Sequence, residues 1–457
     1  MVMYMMSFLK IIIMRRSFLF ITILFVAFSA YSQTDDGKID FDKYFQNKTM
    51  RVDYLHSGTW NTETFSLFGV KNDGEWGGRV EVLNDPYNLG LYAFDIVDDE
   101  TGKVLYTQGF CSVFGEWQTI KEARETNKTF EESIRFPWPK NRFRLVMRKR
   151  DSTNTFKIVW TETIDPENYS KTKHVSPSVK VRYLLKNGKP TQKVDIAILA
   201  DGYSVNDTAN FTKDAERFVR EFFSVEPFKS RKSDFNVVGI YTISPTSGIR
   251  LQRDNFYPSN ILGSSYYTFG IERYVLTERE WTVRDFASAA PYDFLVILLN
   301  SNKYGGGGIY NLYITASAKS ISSGYVMVHE MGHHIAGLAD EYYTSEVAYQ
   351  VSPPKYEPWE FNVTALLDSD NLKWKNLVDQ GTPIPTPWEK EEYEASGRLN
   401  KNDKFFGKVG AFEGASYLSK GMYRPEIDCI MFSHSKKFCK VCNNGLNCVI
   451  DLYVSGN

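Results

Sequence analysis

Six side chains with metal-binding or acid–base chemistry lie close together in the stretch YVMVHEMGHHIAGLADEYY, Tyr325 to Tyr343. They are three histidines, two glutamates and an aspartate, set among mostly apolar residues. The segment HEMGH, residues 329–333, fits the pattern H-E-x-x-H. On a helix, positions i and i+4 share a face, so His329 and His333 can bind one ion while Glu330 lies beside it. The pattern predicts a catalytic Zn²⁺ site that keeps one position for water, with Glu330 as general base and acid.

The third ligand is predicted from the residues that follow this motif. The metzincin pattern H-E-x-x-H-x-x-G-x-x-H (or D) has its glycine one residue earlier than Gly337. The spacing G-x-x-D from Gly337 to Asp340 is kept, which indicates a helix one residue longer before the glycine turn. We therefore predict Asp340 as the third ligand. Glu341 is the alternative, or a residue that orients a ligand histidine, while His334 is turned about 100° from His333 and is predicted to be structural.

The N-terminus is typical of a secretory signal peptide. Arg15 and Arg16 precede the apolar run SFLFITILFVAFSA, whose last residue begins the small-x-small end AYS; this pattern predicts a signal peptide over 1–32 with cleavage after Ser32. The alternative is a membrane anchor, but the run is short and the arginine pair would lie in hydrocarbon. We therefore expect an exported protein (periplasmic, cell-surface or secreted) with no membrane span after cleavage.

The length of 457 residues predicts two domains, and the formal charge of −1 gives no reason to expect a nucleic-acid partner. The segments MRVDYLHSG, GRVEVLND, GLYAFDIVDD, SIRFPW, FRLVMRKR and FKIVWTETI alternate apolar and polar residues. Six or more short strands at this spacing predict an all-β sandwich domain over 33–172. His56 has no chemical partners nearby in the sequence, so this domain is predicted to be accessory.

After the linker ENYSKTKHVSPSVK the pattern changes. KVDIAILADGY, FNVVGIYTIS and YDFLVILLNS read as buried strands, whereas NFTKDAERFVREFFS and YVLTEREWTVRDFASAA read as helices. Strands that alternate with helices predict an α/β (α+β) catalytic domain over 178–457 with a largely parallel sheet.

Four of the five cysteines, Cys429, Cys439, Cys442 and Cys448, lie near the C-terminus. In an exported protein they favour one or two disulfides, with the pairing left open. A structural zinc site formed by the same four residues is the alternative.

The sequence HEMGHHIAGLADEY resembles the signature of the bacterial IgA-peptidase-type zinc metallopeptidases, a metzincin-like group. Further stretches are similar to that family's successive blocks; they are VDIAILADGY, FFSVEPFKSRKSDFNVVGIYTISPTSGI, YGGGGIYN, NLKWKNLVDQGTPIPTP, GAFEGASYLSKGMYRPEIDCIM and FCKVC. The resemblance runs from Lys180 to about Cys448, and the β-rich region looks like the family's N-terminal domain.

The resemblance implies a metzincin-like zincin fold and a zinc endopeptidase. It implies that Met431 is the Met-turn beneath the metal and that YGGGGIYNLYITAS supplies the edge strand above the cleft, where a peptide could add as a further strand. Tyr423 is a candidate for stabilising the oxyanion. The expected partner is a protein or peptide substrate, with immunoglobulin or another mucosal glycoprotein as candidates, and the chain is expected to be a monomer.

Two alternatives stay open from the sequence. One is a glycoprotein- or glycan-binding protein on a retained zincin scaffold, although the intact Glu330 disfavours it. The other is a gluzincin, whose third ligand would be a glutamate of WEKEEYEAS.

Overall fold

The computed structural model describes residues 38–169, 177–344 and 354–454. The predicted signal peptide and its cleavage site after Ser32 lie outside these residues. Within the described ranges, none of the helices has the length and apolar character needed to cross a membrane.

Alternating apolar residues in the first third of the described chain form two antiparallel sheets. One has the strand order β2-β1-β5 and the other β4-β3-β6-β7. The strands are β1 (Phe45–Gly58), β2 (Glu63–Asn72), β3 (Tyr92–Asp98), β4 (Val104–Phe110), β5 (Lys128–Pro139), β6 (Phe143–Arg150) and β7 (Phe156–Ile164). Three short helices accompany them: α1 (Phe41–Tyr44), α2 (Val113–Trp117) and α3 (Pro166–Tyr169).

Aromatic side chains connect the two sheets. The rings of Tyr54 on β1 and Trp160 on β7 lie 5.6 Å apart, and those of Phe94 on β3 and Phe136 on β5 lie 5.9 Å apart. Sheets whose inner faces meet through such contacts form a sandwich. The predicted antiparallel architecture of this region is therefore present.

One predicted strand of this region is wrong. GRVEVLND, residues 78–85, forms no strand and instead hydrogen-bonds to Thr107 of β4 through Leu83 and Asp85. Arg79 is buried, stacks its guanidinium over the Tyr106 ring and donates to the Thr107 carbonyl, 2.8 Å away. A buried arginine that needs acceptors fixes the segment by side-chain contacts, which the apolar alternation could not reveal. The sequence analysis also missed β2 and β4.

His56 has two partners that are distant in sequence. Its imidazole lies 2.8 Å from the Glu132 carboxylate and 3.2 Å from that of Glu63, between the rings of Phe65 and Phe114. Burial would lower the pKa of His56, but the two carboxylates outweigh it and raise that pKa. The histidine that looked isolated is thus part of a buried ionic group.

A six-stranded sheet forms the centre of the remaining chain, in the order β12-β13-β11-β9-β10-β8. The four central strands are parallel, as predicted, and the two edge strands run antiparallel to their neighbours. These strands are β8 (Val181–Leu185), β9 (Val194–Asp201), β10 (Phe235–Ile240), β11 (Phe294–Leu299), β12 (Gly306–Ile309) and β13 (Tyr313–Ser317).

Both faces of this sheet are covered, which explains why its strands are apolar throughout. Ile196 and Ile198 of β9 pack into a core with the helices α4 (Thr208–Phe222), α6 (Ser323–Ala336) and α8 (Lys440–Tyr453). On the other face, Leu199 packs with α5 (Glu280–Ala287) and with rings from the N-terminal region; these are Phe114, Trp117 and Phe130. The N-terminal region therefore covers one face of the central sheet.

Helix α5 is shorter than predicted. The sequence pattern begins at Tyr274, but the helix begins at Glu280, because Tyr274 bridges Gly306 at the sheet edge. Beyond α6 the chain is irregular over much of 354–389, as its proline content indicated. The last elements are α7 (Lys390–Ser396), β14 (Phe412–Ala415), β15 (Leu418–Arg424) and α8.

Candidate metal centre and active site

Helix α6 carries the H-E-x-x-H motif, and it ends where the sequence predicted. Gly337 caps it in the left-handed conformation, with φ of 57°. A side chain at this position would also collide with the Trp359 ring. Glycine alone meets both requirements, and the turn brings the next residues back beside the helix.

Three ligand-type atoms converge at this turn. His329 Nε2 lies 3.1 Å from His333 Nε2, and Asp340 Oδ1 lies 3.0 Å from the first and 3.3 Å from the second. Three ligands around a tetrahedral Zn²⁺ at 2.0–2.1 Å would be about 3.3 Å apart. The structure therefore brings together the three residues predicted as metal ligands.

Backbone carbonyls orient both imidazoles. His329 Nδ1 lies 3.0 Å from the Ile430 carbonyl oxygen, and His333 Nδ1 lies 2.5 Å from that of Leu338. Since a carbonyl only accepts, each Nδ1 carries the proton and each Nε2 presents a lone pair to the cluster. This arrangement is the one that metal-binding histidines use.

Asp340 completes the cluster. Its Oδ1 is buried and makes no well-aligned hydrogen bond within the described chain, while Oδ2 accepts from the Tyr417 hydroxyl. Burial alone would raise the pKa of Asp340, but His333 and His329 lower it well below its ordinary value. Two imidazole nitrogens and a carboxylate oxygen that face one another at these distances fit a bound cation, which would take the place of the protons they otherwise share.

Glu330 lies beside the three ligands and is half-buried. Burial raises its pKa above the ordinary value, and the nearby His329 and His333 limit that rise. The edge strand β12 passes closely: a Cβ at Gly308 would lie 2.7 Å from the Glu330 carbonyl oxygen and 2.9 Å from Oε2. Glycine at 308 therefore lets the strand approach the predicted general base.

The segment Cys429–Met431 lies under helix α6. Met431 is fully buried, and a Cβ at Gly332 would lie 2.9 Å from its sulfur. The carbonyl oxygen of Met431 accepts from the Glu341 N–H at 2.8 Å. Met431 thus lies where a hydrophobic floor between the two histidine positions would be; its role as a Met-turn stays a prediction.

His334 has the structural position predicted for it. It is 1% exposed, accepts from the Leu295 N–H at Nε2 and donates from Nδ1 to the Ile309 carbonyl. Burial lowers the pKa of His334 to about 3, so the ring is neutral. It links α6 to strands β11 and β12.

Glu341 lies in a different environment from Asp340. Its Oε1 accepts from the Asn362 amide at 3.0 Å and lies 3.1 Å from the Cys442 sulfur. The structure thus places this carboxylate among cysteines, and its predicted contact with a ligand histidine gains no support.

The predicted disulfides are not formed, because all five cysteines are free. Cys429, Cys439 and Cys442 surround Glu341, whereas Cys448 is half-buried and lies beside Tyr87. The alternative of a structural zinc site with Cys448 as the fourth ligand is also not what the structure shows.

Tyr417 is the residue at this site that the sequence analysis missed. It lies 77 residues from Asp340 in a tight turn between β14 and β15, where Ser416 and Tyr417 both have positive φ. One tyrosine among 28 carries no signal of this kind in the sequence. Tyr423, the candidate oxyanion residue, lies on β15 and pairs through its backbone with Thr364.

The gluzincin alternative finds no support in the geometry. Within WEKEEYEAS, Lys390–Ser396 form the helix α7, in which Glu391 and Glu392 are exposed. Within the described chain, the carboxylate grouped with the two histidines belongs to Asp340.

Comparison with known families agrees with this geometry. Residues 183–402 and 395–450 match the family model described as IgA Peptidase M64, and residues 40–161 match the model described as Peptidase M64 N-terminus. A search of curated proteins gives no match. The peptidase model alone covers more than half of the chain, so the chain belongs to the IgA Peptidase M64 family, a family of metallopeptidases.

Proposed function

We propose that this peptidase is an exported zinc endopeptidase with a metzincin-like catalytic domain, for which the convergence of His329, His333 and Asp340 beside Glu330 is the main support. The three residues would hold Zn²⁺ and leave a position open. When bound there, zinc supplies Lewis-acid polarisation of the peptide carbonyl and lowers the pKa of water.

Glu330 performs the proton transfer in this proposal. Because burial raises the pKa of Glu330, its carboxylate is a stronger base than an exposed one. It can therefore take a proton from the attacking water and hold it. The same group then delivers that proton to the leaving amine nitrogen. Both steps need only the side chain that already faces the cluster.

Strand β12 supports a position for the substrate. The outer edge at Gly306 is already occupied, since its N–H donates to the Arg273 carbonyl at 3.1 Å and its carbonyl accepts from Val275 at 3.2 Å. In an antiparallel ladder the direction of these groups alternates, so Gly308 directs its N–H and carbonyl to the same outer side. We propose that the substrate backbone pairs at Gly308, next to Glu330, as an added strand.

The proposed substrate class and location rest on the N-terminal sequence and on the family description. The apolar N-terminal run motivates export, and the family description motivates immunoglobulin or another mucosal glycoprotein as substrate. The chain is proposed to act as a monomer without nucleic-acid or membrane partners. A cleavage profile on host glycoproteins, with immunoglobulins included, tests the substrate proposal.

The variant Glu330→Gln tests the mechanism. Loss of the general base should lower kcat by roughly 10²–10⁴-fold while the chain keeps its metal. Glu391→Gln, which changes an exposed glutamate on α7, is the matched control and should retain activity. Full activity of Glu330→Gln would overturn the mechanism. Failure of the wild-type chain to cut any peptide in a broad library would favour the binding-protein alternative.

A further inference from the structure

A second group of ligand-type side chains lies next to the group formed by His329, His333 and Asp340, which we refer to as the histidine cluster. The second group contains Glu341, Cys429, Cys439 and Cys442, all of them 0–1% exposed. Cys439 caps the N-terminus of helix α8, and Cys442 lies in its first turn. We refer to these four residues as the cysteine cluster.

The distances in the cysteine cluster fit a tetrahedral metal site. The sulfurs of Cys429 and Cys442 are 3.8 Å apart, and Glu341 Oε1 lies 3.1 Å from the Cys442 sulfur and 3.8 Å from that of Cys439. Tetrahedral Zn²⁺ with its usual bond lengths would separate two sulfurs by about 3.8 Å and a sulfur from an oxygen by about 3.5 Å. A disulfide would instead need about 2.05 Å between sulfurs.

Backbone amides point at two of these sulfurs. Cys429 accepts from the N–H groups of Met431 and Cys439 at 3.4 and 3.2 Å, and Cys439 accepts from that of Cys442 at 3.3 Å. A neutral thiol is a weak acceptor, whereas a thiolate accepts strongly. These contacts, with the helix N-terminus at Cys439, favour the thiolate form that metals bind.

The buried carboxyl group of the cluster also lacks a partner that a cation could provide. Glu341 is fully buried, and its Oε2 has no hydrogen-bond partner in the described chain. Arg424 is the neighbouring cation, but its hydrogen bonds go to the carbonyls of Glu413 and Gly414. A buried carboxylate aimed at three sulfurs is costly unless a positive ion joins them.

We propose that Glu341, Cys429, Cys439 and Cys442 bind a second, structural Zn²⁺. Four protein ligands leave no position for water, and thiolate-rich sites select zinc over harder ions such as Mg²⁺ and Ca²⁺. Binding releases the thiol protons to solvent. The proposal does not depend on whether the histidine cluster holds a metal or cuts peptides.

This site would hold together three parts of the catalytic domain. Glu341 follows Asp340, Cys429 precedes the carbonyl of Ile430 that orients His329, and the other two cysteines begin helix α8. A zinc ion here would therefore fix the segments that position the catalytic ligands.

The test is a metal count on the purified full-length chain and three variants, by elemental mass spectrometry. The wild type should hold about two zinc ions per chain, and His333→Ala and Cys442→Ser should each hold about one. Cys448→Ser, a change of the same kind outside the cluster, should keep about two. If His333→Ala loses all metal and Cys442→Ser loses none, the cysteine cluster binds no metal and the proposal fails.

Thiol titration separates the metal site from a disulfide. After unfolding in chelator, the wild type should show all five thiols, whereas a disulfide within the cluster would leave about three and would overturn the proposal. If Cys442→Ser does not fold, cobalt substitution of the wild type tests whether the cysteine cluster binds metal. A thiolate-to-cobalt charge-transfer band supports the site, and its absence in a cobalt-loaded chain contradicts it. Failure of the proposed peptidase function would appear separately, as two bound metals without cleavage.

Discussion

Two neighbouring residues, Asp340 and Glu341, direct their carboxylates into two clusters of different chemistry. Asp340 meets two imidazoles, one of them on a side chain that is 17% exposed, whereas Glu341 meets three cysteines in a fully buried group. Nitrogen and oxygen ligands with an open side suit reaction with a substrate, and a closed thiolate-rich set suits structure. The two proposed roles therefore differ in ligand type and in access to solvent, although the two carboxylates are adjacent in the chain.

The clusters are also joined through one short segment. Within Cys429–Met431, the first residue belongs to the cysteine cluster, the second orients His329 through its carbonyl, and the third packs against α6. Damage at one cluster can therefore be measured at the other.

The largest expected difference between the two clusters is in their contribution to the free energy of unfolding. Cys439→Ser removes one ligand of the cysteine cluster and should lower the free energy of unfolding by about 4 kcal/mol, since loss of a structural metal is among the most destabilising changes. The folded fraction should also lose part of its kcat, because Cys429 of the same cluster precedes the Ile430 carbonyl that orients His329. Denaturant unfolding checks the first point and active-site titration the second. An unchanged free energy of unfolding would contradict a structural role for the cysteine cluster.

A smaller expected effect distinguishes His334 from His329 and His333, the two proposed ligands on the same helix. The pKa of His334 is about 3 in the folded chain and ordinarily 6.5, so the unfolded chain binds the proton more readily. The stability from the neutral ring is present above pH 6.5 and is lost as the pH falls towards 3. At about pH 5 the loss should be about 2 kcal/mol, given about 1.36 kcal/mol per pKa unit.

Unfolding curves at about pH 7 and about pH 5 measure this loss, with His334→Gln as the comparison. Glutamine can supply both a donor and an acceptor but does not titrate. An equal loss of stability in both proteins would assign the acid sensitivity to other titrating groups instead of His334.

The smallest expected effect concerns Tyr417. Tyr417→Phe removes the hydroxyl that donates to Asp340 Oδ2, so zinc affinity at the histidine cluster should fall about tenfold, as for other residues that orient ligands. The cysteine cluster should keep its metal, which competition with a chelator can measure. Equal losses from both sites would show that Tyr417 acts through general stability.

The sequence predicted best what depends on local spacing. The i, i+4 histidines, the helix end at Gly337 and the apolar strands β9, β10 and β11 all follow from periodicity and local turn chemistry. The spacing from Gly337 to Asp340 likewise predicted that Asp340 lies beside the histidines. Its role as a ligand stays a prediction.

What failed depends on contacts between distant residues. Glu341 and Cys442 lie 101 residues apart, and Tyr417 reaches Asp340 over 77. The number and spacing of the cysteines favoured disulfides. They do not reveal which cysteines converge in the fold or that the Glu341 carboxylate lies among them. The segment around Arg79 failed likewise, because its buried guanidinium finds acceptors on another strand.

The cover that the N-terminal region provides for the central sheet has a consequence for how the molecule unfolds. Ser133 of β5 donates to the buried Glu280 carboxylate from its N–H and its hydroxyl. Arg51 of β1 pairs with Asp285, so α5 receives polar partners from two strands far earlier in the chain. The phenyl and indole rings of the same region fill the core beneath the sheet. Calorimetry should therefore record one cooperative transition, because neither half retains a complete interior without the other.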